Sequence, residues 1–90
     1  MYISPKIQKK LLEKHNVKRH EITECFSNRT GGFLKDKRED HDTNPPTLWF
    51  VAETDYGRKL KVVFINDDDI NIKTAYEANK EEIRIYNKYA

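Results

Sequence analysis

The sequence has few of the residues that stabilise small secreted proteins or anchor a protein in a membrane. It has one cysteine, Cys25, so no disulfide can form within the chain, which is typical of a reducing cytosol. The longest apolar run, LWFVA, is far too short to span a bilayer. The opening MYISPKIQKK contains no apolar signal segment. We therefore expect a cytoplasmic protein with no membrane partner.

The sequence also lacks the motifs of common cofactor-dependent and metal-dependent enzymes. It has no glycine-rich phosphate loop, no G-x-S-x-G motif and no paired-cysteine motif. Two acidic stretches, EDHD at 39–42 and NDDD at 66–69, suggest a cation site at first sight. The second lacks the alternating ligands around a glycine that a calcium loop uses. We expect neither a metal nor a cofactor.

Charge is what the sequence has in abundance. Charged residues make up 36% and apolar residues 37% of the chain, and the apolar residues are clustered, which favours one folded domain over residues 1–90. The net charge of +2 is too small to indicate a nucleic-acid partner by itself. A nucleic-acid partner would require a local basic surface.

Two short helices are predicted before residue 30. Ser4 followed by Pro5 is typical of a helix start, and Asn16 of a left-handed helix end. Ile3, Ile7 and Leu11/Leu12 recur at helical spacing. The second helix begins near Val17 and carries an apolar stripe of Ile22, Cys25 and Phe26.

Strands are predicted after the glycine pair at 31–32. FLKDK (33–37) indicates a short edge strand, and the central strands are TLWFVAET (47–54), RKLKVVFI (58–65) and INIKTAY (70–76). Asn79 and Glu82 form a capping box that predicts a last helix over 80–89. The order of elements predicts an α+β fold: two N-terminal helices, a three- to four-stranded antiparallel sheet and a C-terminal helix.

The loop at 55–57 sets the register of the first hairpin. Because Gly57 suits the left-handed position of a three-residue loop, Leu48, Phe50 and Ala52 should oppose Phe64, Val62 and Leu60. The same reasoning places Ile72 and Thr74 on this apolar face. With the helices packed on one face, the second face should be partly open.

That second face carries a group of cations and one aromatic residue. They are Lys59, Lys61, Lys73 and Trp49, with Arg58 at the hairpin tip. A basic surface with an aromatic ring can bind RNA, since the cations contact phosphate and the ring stacks on a base. The alternative is that these lysines form the solvated side of a half-buried sheet.

A dense run of titratable residues, KREDHD at 37–42, precedes the first central strand. Carboxylates on both sides of His41 would favour its protonated form, so it suits a general acid, or a base paired with Glu39. The alternative is an ordinary exposed loop histidine. Tyr76, at the end of the last strand, either covers the core or presents its hydroxyl to a phosphate.

Three segments resemble BrnT-like toxins of type II toxin–antitoxin systems. LLEKHNVKRHEITECF is similar to their KHGV…EE…F opening, and GRKLKVVFI to their GR-x-L-x-VV hairpin. INIKTAYEANKEEIRIY is similar to their I-x-I-I-S-A-R-x-A-x-x-x-E…Y ending. The resemblance implies a RelE-like fold and a ribonuclease that cuts RNA without a metal and is neutralised by an antitoxin protein. Tyr76 replaces the family's arginine, and the chain is less basic than the family.

The resemblance and the residues together give a specific hypothesis. RNA is cleaved through attack of the 2′-hydroxyl, with His41 or Glu39 as base or acid and Lys61 and Tyr76 also catalytic. The substrate-binding residues are Arg38, Arg58, Lys73 and Trp49. Two alternatives stand beside it: a non-catalytic protein-interaction module of the same fold, which would bind through an exposed sheet edge, and a small-ligand hydrolase.

Overall fold

The computed structural model describes residues 1–37 and 45–90. It contains three helices and four strands, and the strands form one antiparallel sheet in the order β1-β2-β3-β4. The elements are α1 (Pro5–His15), α2 (Arg19–Asn28), β1 (Leu34–Lys35), β2 (Thr47–Glu53), β3 (Lys59–Asp67), β4 (Asp69–Glu77) and α3 (Lys80–Tyr89). The predicted α+β fold is confirmed, with two helices before the sheet and one after it.

The first helix begins and ends as its sequence predicts. The backbone N–H of Ile7 donates to the Ser4 hydroxyl over 3.2 Å, and Pro5 occupies the first turn, where its missing N–H costs nothing. Asn16 ends the helix in the left-handed conformation, with φ at 51°. Its short polar side chain tolerates this region better than most.

The first hairpin has the predicted register. Leu48, Phe50 and Ala52 lie opposite Phe64, Val62 and Leu60. Gly57 closes the turn with φ at 83°, a conformation that costs a glycine little, and its N–H donates to the carbonyl of Thr54.

The second hairpin departs from the prediction because β4 contains a bulge. Val63 pairs with Thr74 and Phe64 with Ile72, so Lys73 is the extra residue of β4. Ile72 is buried on the apolar face as predicted, but placing Thr74 there was wrong. The bulge moves Thr74 to the other face and puts Ala75 opposite Val62.

The apolar face packs against α1 and α2. Phe26 of α2 lies 4.7 Å from Phe50 and 5.3 Å from Phe64 between ring centroids, and Phe33 closes the same group. Cys25 is fully buried beside them, and its thiol donates to the carbonyl of Ala52. This aromatic cluster is the centre of the core.

The second face is not open, so the prediction that the helices share one face was wrong. Trp49, Val51, Lys61 and Val63 are all buried on it. α3 packs there through Tyr86, whose ring lies 5.9 Å from that of Trp49 and whose hydroxyl donates to the carbonyl of Gly32. The apolar stripe of α3 therefore covers the face that the sequence predicts to be partly open.

None of the helices in the described residues is both long enough and apolar enough to cross a membrane.

Candidate functional site

Lys61 lies at the centre of the face that α3 covers. Its side chain is only 3% exposed, and its Nζ contacts Glu82 Oε2 of α3 over 3.0 Å. The same Nζ lies 4.6 Å from the centroid of the Trp49 ring, in cation–π geometry. A buried lysine requires such partners, because an isolated ammonium group is costly to remove from water.

Tyr76 joins Lys61 at the same carboxylate. The two residues are paired across β3 and β4, and the Tyr76 hydroxyl donates to Glu82 Oε2 over 2.9 Å. The ring of Tyr76 lies 5.6 Å from that of His15 at the end of α1. Three of the residues selected from the sequence, Lys61, Tyr76 and Trp49, therefore meet in one place.

Glu82 connects these side chains to the start of α3. Its Oε1 accepts the backbone N–H of Asn79, and Asn79 Oδ1 accepts the backbone N–H of Glu82, which is the predicted capping box. Burial opposes ionisation of Glu82, but the hydrogen bonds from Asn79, Lys61 and Tyr76 outweigh it and hold its pKa below the ordinary glutamate value. We call Lys61, Tyr76, Trp49 and Glu82 the Glu82 cluster.

Three members of the Glu82 cluster, Lys61, Trp49 and Glu82, line a groove between β1 and α3 that has a volume of about 660 Å³. Its lining residues are Leu34, Lys35, Asp36, Lys37, Trp49, Lys61, Asn79, Glu81, Glu82, Ile85 and Tyr89. Lys35 and Lys37 are exposed on the β1 side, and Tyr89 is exposed on the α3 side. The groove thus combines exposed cations and aromatic rings with two carboxylates of α3.

Arg58, predicted to bind substrate, makes its contacts at the end of α1. Its Nη1 donates to the carbonyl of Asn16 and to Glu21, its Nη2 to the carbonyl of His15, and its Nε to Glu77. Burial disfavours its charge, but the two carboxylates outweigh that effect and raise its pKa. Arg58 thus ties the second hairpin strand to both N-terminal helices.

The described structure places none of the other predicted site residues at the Glu82 cluster. Lys73 is exposed at the bulge of β4. Arg38, Glu39 and His41 lie outside the described residues.

Sequence reasoning missed the chemical role of Glu82 and the contribution of β1. Glu82 was interpreted only as a helix cap, although its position next to the apolar stripe of α3 places it at the boundary of a packed face. Lys35 and Lys37 were taken as part of an edge strand. Strand alternation gives no signal for this, because it places Lys35 on the side of its partner Leu48, whereas Leu34 pairs with Trp49.

Two kinds of chemistry find no support in the described residues. Burial, with the nearby carboxylate of Glu24, raises the pKa of the Cys25 thiol to about 12, so this group is a poor nucleophile near neutral pH. Within residues 1–37 and 45–90, no group of three or more histidine, cysteine, aspartate or glutamate side chains is placed to hold a metal ion.

No protein-family model matches this chain, and no curated protein matches it.

Proposed function

We propose that the protein is a toxin-like ribonuclease that binds single-stranded RNA in the groove between β1 and α3. The observation that carries this proposal is that Lys61 and Trp49 lie in the wall of a groove whose rim carries Lys35 and Lys37. Tyr76 does not line the groove, but it shares the carboxylate of Glu82 with Lys61. Exposed lysines attract the phosphate backbone, and aromatic groups such as Tyr89 offer a stacking surface for bases.

The proposed reaction needs no metal or co-reactant. A base removes the proton of a ribose 2′-hydroxyl, whose oxygen forms a bond to the adjacent phosphorus. The bond from phosphorus to the next 5′ oxygen breaks as an acid protonates that oxygen. The products are a 2′,3′-cyclic phosphate and a 5′-hydroxyl. His41 and Glu39 are the proposed acid and base, and fixed donors stabilise the charge on the phosphate.

In this scheme Glu82 is a positioning residue. It holds the ammonium group of Lys61 and the hydroxyl of Tyr76 at one oxygen. An ammonium group has three N–H donors, so the ion pair with Glu82 leaves others for a phosphate. The electrostatic effect of Lys61 is nevertheless reduced, because the ionised carboxylate lies 3.0 Å away.

That neutralisation favours one alternative, a protein-interaction module of the same fold that does not cut RNA. The cations of Lys61 and Arg58 both have carboxylate partners within the chain. Tyr76, where the BrnT-like family has an arginine, is also hydrogen-bonded to Glu82. A fold that uses these cations in ion pairs within the chain has fewer of them to stabilise a transition state.

The test is an RNA cleavage assay with the purified chain, a labelled single-stranded RNA and EDTA. We expect fragments that end in a 2′,3′-cyclic phosphate, and loss of cleavage in His41→Ala. The double variant Lys35→Gln/Lys37→Gln should cut more weakly, whereas Lys59→Gln/Lys80→Gln, which removes the same charge elsewhere, should cut normally. An RNA with deoxyribose at the cleaved position should bind and stay intact.

Binding without cleavage in the wild type would contradict the ribonuclease proposal and favour the non-catalytic alternative. If the wild type neither binds nor cleaves the RNA, that result would contradict RNA as the ligand. Induced expression in a bacterial host tests the proposal in cells. We expect the wild type to arrest growth with loss of RNA, and His41→Ala to do neither. The proposed antitoxin partner would be a protein whose co-expression restores growth beside the wild type.

A further inference from the structure

The positive charge of this chain is concentrated at one end of the sequence. Residues 1–20 hold six of the 17 lysine and arginine residues but only one of the 15 aspartate and glutamate residues. The remaining residues together therefore carry more acids than bases. A net charge of +2 conceals this division, because it averages a strongly basic segment with a mildly acidic remainder.

Most of this charge lies on the outer side of α1. Lys6, Lys10 and Lys14 follow one another at intervals of four residues, and Lys9 lies beside them; all four are exposed. Four residues of helix advance about 6 Å, so the charges form a row along the helix axis. We call these four residues the α1 lysine stripe. Glu13 is the single acid of α1 and lies among them.

The α1 lysine stripe differs from Arg58, Lys61 and Arg84 in that its lysines form no ion pairs within the described residues. Those three cations each have a carboxylate partner. Four lysines against the single carboxylate of Glu13 leave a net positive potential along α1, which attracts a polyanion.

The chemistry of the stripe points to a phosphate backbone rather than to a protein or a membrane. Protein interfaces are depleted in lysine and have an apolar centre, whereas the α1 lysine stripe consists of lysines and has no apolar centre. A membrane-surface helix buries an apolar face in lipid, but Leu11 of α1 is buried in the core and Leu12 is the one large apolar side chain of α1 that is exposed. α1 has no phenylalanine, tyrosine or tryptophan to stack on a base.

We propose that the α1 lysine stripe is a second RNA-binding surface, which holds the phosphate backbone without reading its sequence. None of its residues lines the groove: α1 packs beside β4, and its last residue, His15, contacts Tyr76, whereas β1 and α3 form the groove. The choice of RNA as the ligand rests on the proposed function, but the residues of the α1 lysine stripe are separate from the groove. Phosphate contacts of this kind position a protein on RNA and contribute affinity that depends strongly on salt.

The test is the salt dependence of RNA binding, measured by fluorescence anisotropy with a labelled single-stranded RNA over a series of KCl concentrations. In Lys6→Gln/Lys10→Gln/Lys14→Gln we expect weaker binding and a log–log salt slope that is shallower by about 2, since each lysine–phosphate contact in a single strand contributes about 0.7. A charge-matched pair of double variants is the control: Lys6→Gln/Lys10→Gln should make the slope shallower by about 1.4, whereas Lys59→Gln/Lys80→Gln, which removes two charges away from α1, should leave it nearly unchanged. Glu13→Gln should strengthen binding.

The outcomes separate the two proposals. A slope that is the same in the stripe variant and in wild type overturns the stripe. Equal slope losses in the stripe and control variants also overturn it, because net charge alone would then explain binding. Binding of poly-glutamate as tight as that of RNA would overturn the choice of RNA as ligand. A wild type that binds RNA with the expected dependence on the stripe but does not cut it supports the stripe and contradicts only the ribonuclease proposal.

The variants should fold normally, since exposed substitutions usually change stability by less than about 0.5 kcal/mol, and circular dichroism would verify this.

Discussion

The two faces of the sheet are closed by helices in different ways. On the face of α1 and α2 the contacts are apolar, with Phe26, Phe50 and Phe64 at the centre. On the face of α3 an apolar contact between Trp49 and Tyr86 adjoins a buried charge cluster, in which Glu82 accepts from Lys61 and Tyr76.

This difference separates stability from chemistry. Apolar burial stabilises a fold without requiring particular partners, at about 25 cal/mol per Å². A buried ion pair contributes little net stability, because desolvation offsets the attraction between the charges, yet removal of one partner is costly. The α1 and α2 face is therefore a structural core, whereas the α3 face holds polar groups in fixed positions beside a groove, as a binding site requires.

The largest expected effect is the loss of a core ring. Phe50→Ala should lower the free energy of unfolding by about 4 kcal/mol, because a fully buried ring is replaced by a cavity. Denaturant unfolding followed by circular dichroism measures this. Tyr56→Ala is the control: Tyr56 is 98% exposed, so its change should be near zero. A small effect of Phe50→Ala would mean that the aromatic cluster is not the core.

The next effect tests the charge cluster on the other face. Lys61→Met should cost about 3 kcal/mol, since it leaves Glu82 buried without its cation. Lys61→Met/Glu82→Gln should recover most of that loss, because glutamine keeps the capping box and carries no charge. If the double variant were no more stable than Lys61→Met, the ion pair would not explain the cost. Equilibrium unfolding of both variants decides between these results.

The helix caps allow a matched comparison between the faces. Ser4→Ala at the start of α1 and Asn79→Ala at the start of α3 each remove a side-chain acceptor for a backbone N–H. Each should cost about 1 kcal/mol in unfolding free energy. A much larger cost for Asn79→Ala would show that the cap also positions Glu82. The cation–π contact between Lys61 and Trp49 should then be altered, and a shift in tryptophan fluorescence would detect this.

Acid should give the smallest effect, and its sign follows from the lowered pKa of Glu82. A carboxylate with a depressed pKa in the folded state stabilises the fold above its unfolded pKa, and this contribution is lost as pH falls through the folded value. The loss should thus begin below about pH 4.5, the ordinary value. The stability difference between wild type and Glu82→Gln should narrow as pH falls through this range. A difference that does not vary there would contradict the assigned charge of Glu82.

The parts of this fold that could be predicted from the sequence depend on local rules. Alternating apolar residues and Gly57 together fix the register of the first hairpin, and Ser4 and Asn79 mark helix starts. The bulge at Lys73 could not be predicted in this way, because Thr74 and Ala75 are both small enough for either face. The outcome is decided by packing across the sheet, which alternation does not describe.

The position of α3 shows the same limit. Its stripe of Ile83 and Tyr86 predicts that it packs on something, but not on which face of the sheet. The sequence predicts Lys61 as a catalytic residue on a partly open face, with a solvated lysine as the alternative. Neither interpretation includes its ion pair with Glu82, because Lys59 and Glu53 on the same side of the hairpin favour an exposed face. Trp49, Val51 and Val63 on the same side were the contrary signal, since three large apolar residues on one face favour a covered face.

The most direct test of the proposed site is the RNA assay on the groove. Labelled single-stranded RNA is incubated in EDTA with wild type, with Lys35→Gln/Lys37→Gln and with the control Lys59→Gln/Lys80→Gln, and the ends of the products are identified. The proposal predicts fragments ending in a 2′,3′-cyclic phosphate for wild type and the control, and weaker binding and slower cleavage for the groove variant. Equal binding and cleavage by all three would contradict the groove as the site, and intact RNA with every protein would contradict the ribonuclease.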